Sequence, residues 1–298
     1  MPSPADRLRA RVAAGPVTMP GVHDALSARL AALAGFDVVF VSGYAVSAAR
    51  LAAPDIGYVT ASDMSDATRE ACRAADRGTL VMTDADTGYG NALSAVRTAR
   101  ELHAAGAAGV FLEDQEWPKR CGHMAGKRVV PAGEWLAKLR AVRALRDEGV
   151  DLFLVARTDA LAAEGIDEAL RRARASLDAG ADGVFVEAPR SRDDLAAVAT
   201  ATPGAVRVAN MVPGGVTPVM GDAELAALGF GIVVAPLVGL SAATGAMRDA
   251  FAALARGEGP PPPPVGFGEM NALMGLDEHR ALEARFPPDA PGASAAAP

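Results

Sequence analysis

The sequence predicts a (β/α)8 barrel of the TIM type. Three observations carry that expectation. First, four segments repeat one unit: LAGFDVVF (33–40), AAGAAGVFLE (104–113), DAGADGVFVE (178–187) and LGFGIVV (228–234). Each reads as the end of an Ala-rich helix, a Gly free to adopt positive φ, then a short β-branched strand. Second, four further apolar runs, 17–20, 80–82, 152–155 and 206–209, bring the candidate strands to eight. Third, helical patterns separate most of them, and such alternation makes a parallel sheet. Eight units argue for closure into a barrel, and 298 residues, half of them hydrophobic, suffice for one.

In chain order, strand 17–20 is followed by a helix at 25–34 and the second strand. Helix 62–76 leads to the third strand and helix 92–104 to the fourth. Helices 132–148, 166–179, 193–200 and 222–228 precede the fifth to eighth strands, and a helix at 239–256 completes a barrel domain spanning 1–257. Residues 260–264 are consecutive prolines, which cannot be helical and read as a stiff extended connector. A helix at 269–285 follows, so 258–286 form a connector and C-terminal helix. The Pro-, Ala- and Gly-rich tail 287–298 reads as disordered. A helix carried on a proline strut suits docking on a neighbouring subunit, so exchange of that helix is expected.

A net charge of −7 and a pI near 5.2 argue against nucleic acid as a partner. Cys72 and Cys121 are too few and too far apart for a disulfide framework, which points to a reducing compartment and a cytoplasmic protein. The start, MPSPADRLRARVAAG, has no apolar signal core, and no apolar run reaches the roughly 18 residues of a membrane span.

Strand ends carry the chemistry, because the active site of such a barrel lies at the C-terminal ends of its strands. Here the strands run into Ser42-Gly43-Tyr44, then Asp84 and Asp86, then Glu113-Asp114, Arg157-Thr158-Asp159, Glu187 and Asn210. Taken singly, each acid also fits a helix cap or a partner for a rim arginine. Taken together, Asp84, Asp86, Glu113 and Glu187 cannot all be ionised at close range without a counter-charge. Mg2+ suits a site of hard oxygen ligands completed by waters and substrate, with Mn2+ as the alternative. Arg157 offers a bidentate fork for a substrate carboxylate.

The loop EDQEWPKRCGHMAGKRVV follows the fourth strand and places Lys119, Arg120, Cys121, His123 and Lys127 close together, with Gly122 and Gly126 as hinges. Cations beside Cys121 should favour its thiolate and let it exchange a proton near neutral pH. The segment is too long for a simple βα turn and reads as a mobile lid. Cys72, on a helix, reads as an ordinary buried residue. His23 can reach the rim or serve as a cap, while His103 and His279 read as structural and exposed. One Cys with scattered His gives no zinc spacing, and Gly88 and Gly90 in DTGYGN do not form a phosphate loop. No strand ends in a lone Lys, which excludes a Schiff-base aldolase.

The runs EDQEWPKRCGHMAGK, DADTGYGNA, VARTDA, FVEAP and NMVPGGVTP resemble the isocitrate lyase/phosphoenolpyruvate mutase superfamily over about residues 17–286. KRCGH is similar to the lyase-like branch, and the 2-alkylmalate lyases and carboxyphosphonoenolpyruvate mutases within it are the most similar subgroups. The resemblance implies a magnesium set of Asp84, Asp86 and Glu113, mostly through water, with Asp55 near the metal waters. It implies a backbone cradle for a substrate carboxylate at Ser42, Gly43 and Tyr44, and positioning groups in Arg157, Glu187 and Asn210. It makes Cys121 the acid that protonates the product of C–C cleavage, with His123 beside it. Lys119, Arg120 and Gly122 of the same motif, Thr217 and Pro236 are implied at the substrate. Tetramers with an exchanged C-terminal helix are also implied.

Two departures bear on substrate. Pro213 stands where the family usually has Glu, and Pro236 where oxaloacetate-hydrolysing members have Ser, which speaks against oxaloacetate. The expected activity is a Mg2+-dependent lyase cleaving a 2-hydroxy-dicarboxylate of the 2-alkylmalate or methylisocitrate type to a 2-oxo acid and a carboxylate. The alternatives are a phosphonomutase, an oxaloacetate-acting member, and a lapsed barrel that only binds small carboxylates.

Overall fold

The computed structural model describes residues 2–75, 78–259 and 261–287. The elements run α1 (Pro4–Ala13), β1 (Val17–Val22), α2 (Ala25–Leu33), β2 (Val38–Val41), α3 (Gly43–Leu51) and α4 (Ala61–Ala74). There follow β3 (Leu80–Asp84), α5 (Ala92–Ala105), β4 (Gly109–Glu113), α6 (Ala132–Ala144), β5 (Phe153–Thr158), α7 (Ala160–Ala163) and α8 (Ile166–Asp178). The rest comprise β6 (Gly183–Val186), α9 (Arg192–Ala201), β7 (Val206–Asn210), α10 (Asp222–Ala227), β8 (Ile232–Ala235), α11 (Val238–Ala255), α12 (Phe267–Leu273) and α13 (Leu276–Glu283). The strands form one closed parallel barrel in sequence order, sealed by β1 pairing with β8. The repeated turn sets this up: Gly35, Gly106, Gly180 and Gly229 all take positive φ before β2, β4, β6 and β8, a conformation that costs a residue with a side chain about 1 kcal/mol or more.

The barrel interior is filled rather than hollow. Met19, Phe40, Met82, Phe111, Phe153, Phe185 and Ile232 pack there with Leu8 and Val12 of α1. Phe111 meets Phe40 edge-on at 4.8 Å and Phe185 at 5.9 Å, so three aromatic rings make a floor below the mouth. Burying each such ring stabilises the fold by roughly 1.5–3 kcal/mol. Outside the barrel, Trp135 of α6 is fully buried and donates its indole N–H to the Leu112 carbonyl at 3.3 Å.

Several elements differ from the sequence expectation. α1 is unforeseen, although Ser3 caps it and Pro4 opens it; its Leu8 and Val12 close the bottom of the barrel. α3 begins directly at the strand-end run 42–44, with Ser42 as its cap. The helix expected at 132–148 is α6 followed by a 3-10 turn, Leu145–Glu148. The single helix expected at 269–285 is two, α12 and α13, divided at Gly275 with φ 74°. Asp76, Pro260 and the tail 288–298 lie outside the described residues. The chain divides into two compact units, Met1–Thr244 and Gly245–Pro298. Among the described residues no helix is long and apolar enough to cross a membrane.

Candidate active site

β3 ends at Asp84, which is buried and accepts the Gly43 N–H at 2.8 Å. The chain then turns through Asp86 at φ 43°, a left-handed conformation that Asp tolerates better than most residues. Asp86 gives one oxygen to the Tyr89 hydroxyl at 2.6 Å and the other to Lys119 Nζ at 2.8 Å. The same Lys119 ammonium pairs with Asp55 at 2.5 Å. Lys119 therefore lies inside the acid cluster. Burial pulls its ammonium down, but Asp86, Asp55, Glu113 and Asp84 outweigh that and hold it charged.

Arg157, at the end of β5, is the second counter-charge. Its guanidinium donates to Asp159 at 2.9 and 3.2 Å and pairs with Glu113 at 3.2 Å and Glu187 at 3.4 Å. Positive charge is nonetheless short. Burial, with Asp86 adding to it, pushes Asp84 up to about 7. Burial likewise raises Glu113 well above the usual carboxylate range, and Glu113 Oε1 is buried without a hydrogen-bond partner.

The loop after β4 closes over this cluster. Its base is a short antiparallel pairing of Gln115 with Val129, and the Gln115 amide clasps both the N–H and the C=O of Arg120. Cys121 N–H donates to the Asp55 carbonyl at 3.0 Å. His123 accepts the Val216 N–H on Nδ1 at 3.0 Å, and its Nε2 faces Asn210 at 3.3 Å and Glu187 at 3.5 Å. A Cβ on Gly122 would fall 2.4 Å from the Glu187 carboxyl carbon, so only Gly lets the backbone lie this close.

A cavity of about 230 Å³ results. Of the residues that the sequence singles out, it collects Ser42, Tyr44, Asp55, Asp84, Lys119, Cys121, Gly122, His123, Arg157, Glu187, Asn210, Pro213 and Pro236. Asp86 and Glu113 stand behind it, bonded to Lys119 and Arg157. Arg120 faces away, its guanidinium 3.4 Å from the Ala125 carbonyl, and Thr217 is buried off the cavity. Gly43 donates its N–H to Asp84. Phe40, Phe111, Phe185, Val212, Val234 and Leu237 give the cavity an apolar floor and wall. Asp159 is the residue the sequence understated, because its position before α7 reads as a cap.

The expected thiolate at Cys121 is overturned. Burial pushes the thiol up to about 11, outweighing a backbone hydrogen bond from His123 and the Arg157 charge, which lower it, while Asp55 and Glu187 add to the rise. The cations of the motif do not face the sulfur as a group, because Lys119 is spent on Asp55 and Asp86, and Lys127 on Asp159. Burial therefore favours the neutral thiol at Cys121. Burial also lowers His123, which favours its neutral ring.

The acid cluster fits a divalent cation. Glu113 keeps an unpartnered buried oxygen, and burial with the neighbouring Asp86 drives Asp84 toward protonation. Among the described residues no three metal-ligating side chains converge closely enough to hold an ion alone.

Fold and site define a (β/α)8 enzyme whose mouth combines an arginine fork, an acid cluster and a thiol. A family model described as phosphoenolpyruvate phosphomutase matches residues 8–255. The chain is 46% identical over 279 residues to carboxyvinyl-carboxyphosphonate phosphorylmutase, chloroplastic, of Arabidopsis thaliana, covering 91% of this chain and 81% of that protein. It is 41% identical over 273 residues to 2,3-dimethylmalate lyase of Eubacterium barkeri, covering 91% and 93%. The crystal structure of a 2,3-dimethylmalate lyase, trigonal form, superposes with a TM-score of 0.91 at 35% identity, covering 96% of both chains. The chain belongs to the phosphoenolpyruvate mutase/isocitrate lyase superfamily, whose members include lyases and mutases.

Proposed function

We propose that the chain is a Mg2+-dependent carbon–carbon lyase that cleaves a 2-alkylmalate-type 2-hydroxy-dicarboxylate to a 2-oxo acid and a carboxylate. The observation that carries this reading is the placement of the Cys121 thiol in the same cavity as Arg157 and Asp84. The aromatic floor and the Val212–Pro213 wall suit an alkyl substituent, and the similarity to 2,3-dimethylmalate lyase agrees.

Arg157 would grip one substrate carboxylate, with Glu187 and His123 fixing the wall beside it. As a carboxylate of the acid cluster takes the hydroxyl proton, the bond between the hydroxyl carbon and its carboxylate-bearing neighbour breaks, and its electron pair passes to that neighbour. Cys121 donates its proton there, which completes the released carboxylate. Asp84 would hold the cation, with Asp86, Glu113 and Asp55 holding its waters. When bound, Mg2+ supplies positive field for the charge that builds as the bond breaks. The closed loop excludes water from that charge.

A screen of 2-alkylmalates, methylisocitrate, oxaloacetate and phosphonopyruvate, with Mg2+ and with chelator, tests the reading. The expected result is Mg2+-dependent release of a 2-oxo acid from a 2-alkylmalate, and in Cys121→Ala a loss of at least about a hundredfold, the usual scale for a general acid. Near-normal turnover by Cys121→Ala would end its assigned role. The 46% identity to a phosphorylmutase supports a second reading, phosphonate chemistry, which phosphorus NMR of the candidate substrate separates from cleavage.

The C-terminal segment 258–286 is proposed to dock on another copy, giving a homotetramer with exchanged helices. No residue of α11, α12 or α13 is buried, while Phe251, Phe267 and Phe286 are 64, 85 and 70% exposed. Sedimentation of the full chain checks this, and a monomer at micromolar concentration would refute it. The two free cysteines support a reducing, cytoplasmic location.

A further inference from the structure

Asp159 stands where the N-cap of α7 should be, yet its side chain makes no capping bond. It turns inward instead. One face accepts both Arg157 donors at 2.9 and 3.2 Å, and Oδ1 also accepts Lys127 Nζ at 2.7 Å. Lys127 comes from the far limb of the Cys121 loop and donates in addition to the Gly122 carbonyl, one residue beyond the thiol. Asp114 braces the hub from behind: its carboxylate accepts the Asp159 N–H at 2.8 Å, the Thr158 hydroxyl at 2.6 Å and Arg172 at 3.1 Å. Neither Lys127 nor Asp159 lines the cavity.

We propose that Lys127 and Asp159 are positioning residues that form a latch, coupling closure of the Cys121 loop to the aim of the Arg157 guanidinium. Stability alone gives little reason for the bond. The side chains are 1 and 0% exposed, and a buried ion pair seldom stabilises more than an apolar pair of the same volume. Geometry gives a reason. With Gly122 pressed on Glu187 and its carbonyl held by Lys127, the loop has one seated position. That position is set by the same carboxylate that orients the arginine. A ligand carboxylate on Arg157 and a closed loop therefore favour each other, and such coupling runs both ways.

The coupling rests on placing Cys121 and Arg157 in one site, as in the proposed function, but its test needs no turnover. N-ethylmaleimide alkylation of Cys121, mapped by peptide mass with Cys72 as the internal reference, reads loop opening. Oxalate binding in Mg2+ buffer, by calorimetry, reads the aim of Arg157. Lys127→Met should raise Cys121 alkylation on the order of tenfold or more, since it removes the bonds that tie the loop to Asp159 and to the Gly122 carbonyl. It should also weaken oxalate on the order of tenfold, although Lys127 does not reach the cavity. Lys127→Met and Asp159→Asn combined should do little more than either alone, because both break one bond. Parent-like alkylation in a folded Lys127→Met protein, or looser alkylation with unchanged oxalate affinity, would overturn the latch. Should the variant not fold, the parent decides. Oxalate must slow amide exchange at 125–130, which lies outside the cavity, and unchanged exchange there would overturn the proposal equally.

Discussion

Arg9 and Arg157 each meet several carboxylates, one at the bottom of the barrel and one at its mouth, and the two clusters end in opposite states. Arg9 bonds Asp182 at 2.9 Å, Asp151 at 2.7 and 2.9 Å and the Leu152 carbonyl at 3.1 Å. Asp182 also accepts the Leu154 N–H at 2.9 Å. Burial would raise Asp151, but the bonds and charge of Arg9 outweigh it and hold the carboxyl below its usual range. Arg157 is divided among Asp159, Glu113 and Glu187, and at Glu113 burial wins and one oxygen stays unpartnered. The ingredients are alike. The bottom completes its bonding and ties α1 to the barrel, whereas the mouth keeps acceptors in surplus. A surplus of buried acceptors is a poor way to stabilise a fold and a good way to receive a cation and a substrate.

The largest expected effect breaks that comparison if it fails. Arg157→Lys replaces a planar fork by a point charge, and kcat/KM should fall on the order of a thousandfold with little change in Tm. Arg9→Gln should leave kcat/KM near the parent value and lower stability by about 1–2 kcal/mol, less than a fully buried pair because the site is partly solvated. Steady-state kinetics and urea unfolding of both variants check this. An Arg9→Gln protein as inactive as Arg157→Lys would show that bottom and mouth are not separable.

The two ends also differ in how far the sequence reveals them. The barrel is readable because the Gly–strand turn recurs, and the strand-end acids are readable because apolar runs stop on them. The partners of those acids are not. Lys119, Arg120 and Lys127 lie within nine residues of a Gly-spaced loop, and nothing local decides which of them turns inward. Lys119 does so because Asp55 and Asp86 need its charge, a demand that sequence reasoning assigns to a metal ion alone. Cys121 reads as activated because its sequence neighbours are cations, but in space burial outweighs the other influences, and the charges of Asp55 and Glu187 oppose that of Arg157. Asp159 occupies a cap position, so local chemistry points to a cap, and only the tertiary fold turns it to Arg157 and Lys127. α3 is hidden for a related reason: Ser42-Gly43-Tyr44 reads as a binding loop, yet Ser42 starts a helix and Gly43 serves Asp84.

The smallest effect sharpens the contrast through proton linkage, and its sign differs between the ends. Asp151, lowered in the fold, contributes stability that is present above the ordinary carboxylate pKa of about 4 and is lost as pH falls through the folded value. Asp84 behaves oppositely in the metal-free protein. Raised to about 7, it keeps its proton in the fold while the unfolded chain releases it above about pH 4, so stability is lost as pH rises toward about 7. Urea unfolding in chelator, pH by pH, isolates each contribution as a difference from its variant. Parent minus Arg9→Gln should shrink below about pH 4, whereas parent minus Asp84→Asn should shrink from about pH 4 to about pH 7. Excess Mg2+ should remove the second trend, because a bound cation keeps Asp84 ionised. Two trends of the same sign would mean that the mouth, like the bottom, is a completed ion-pair cluster, and the case for a cation there would fail with it.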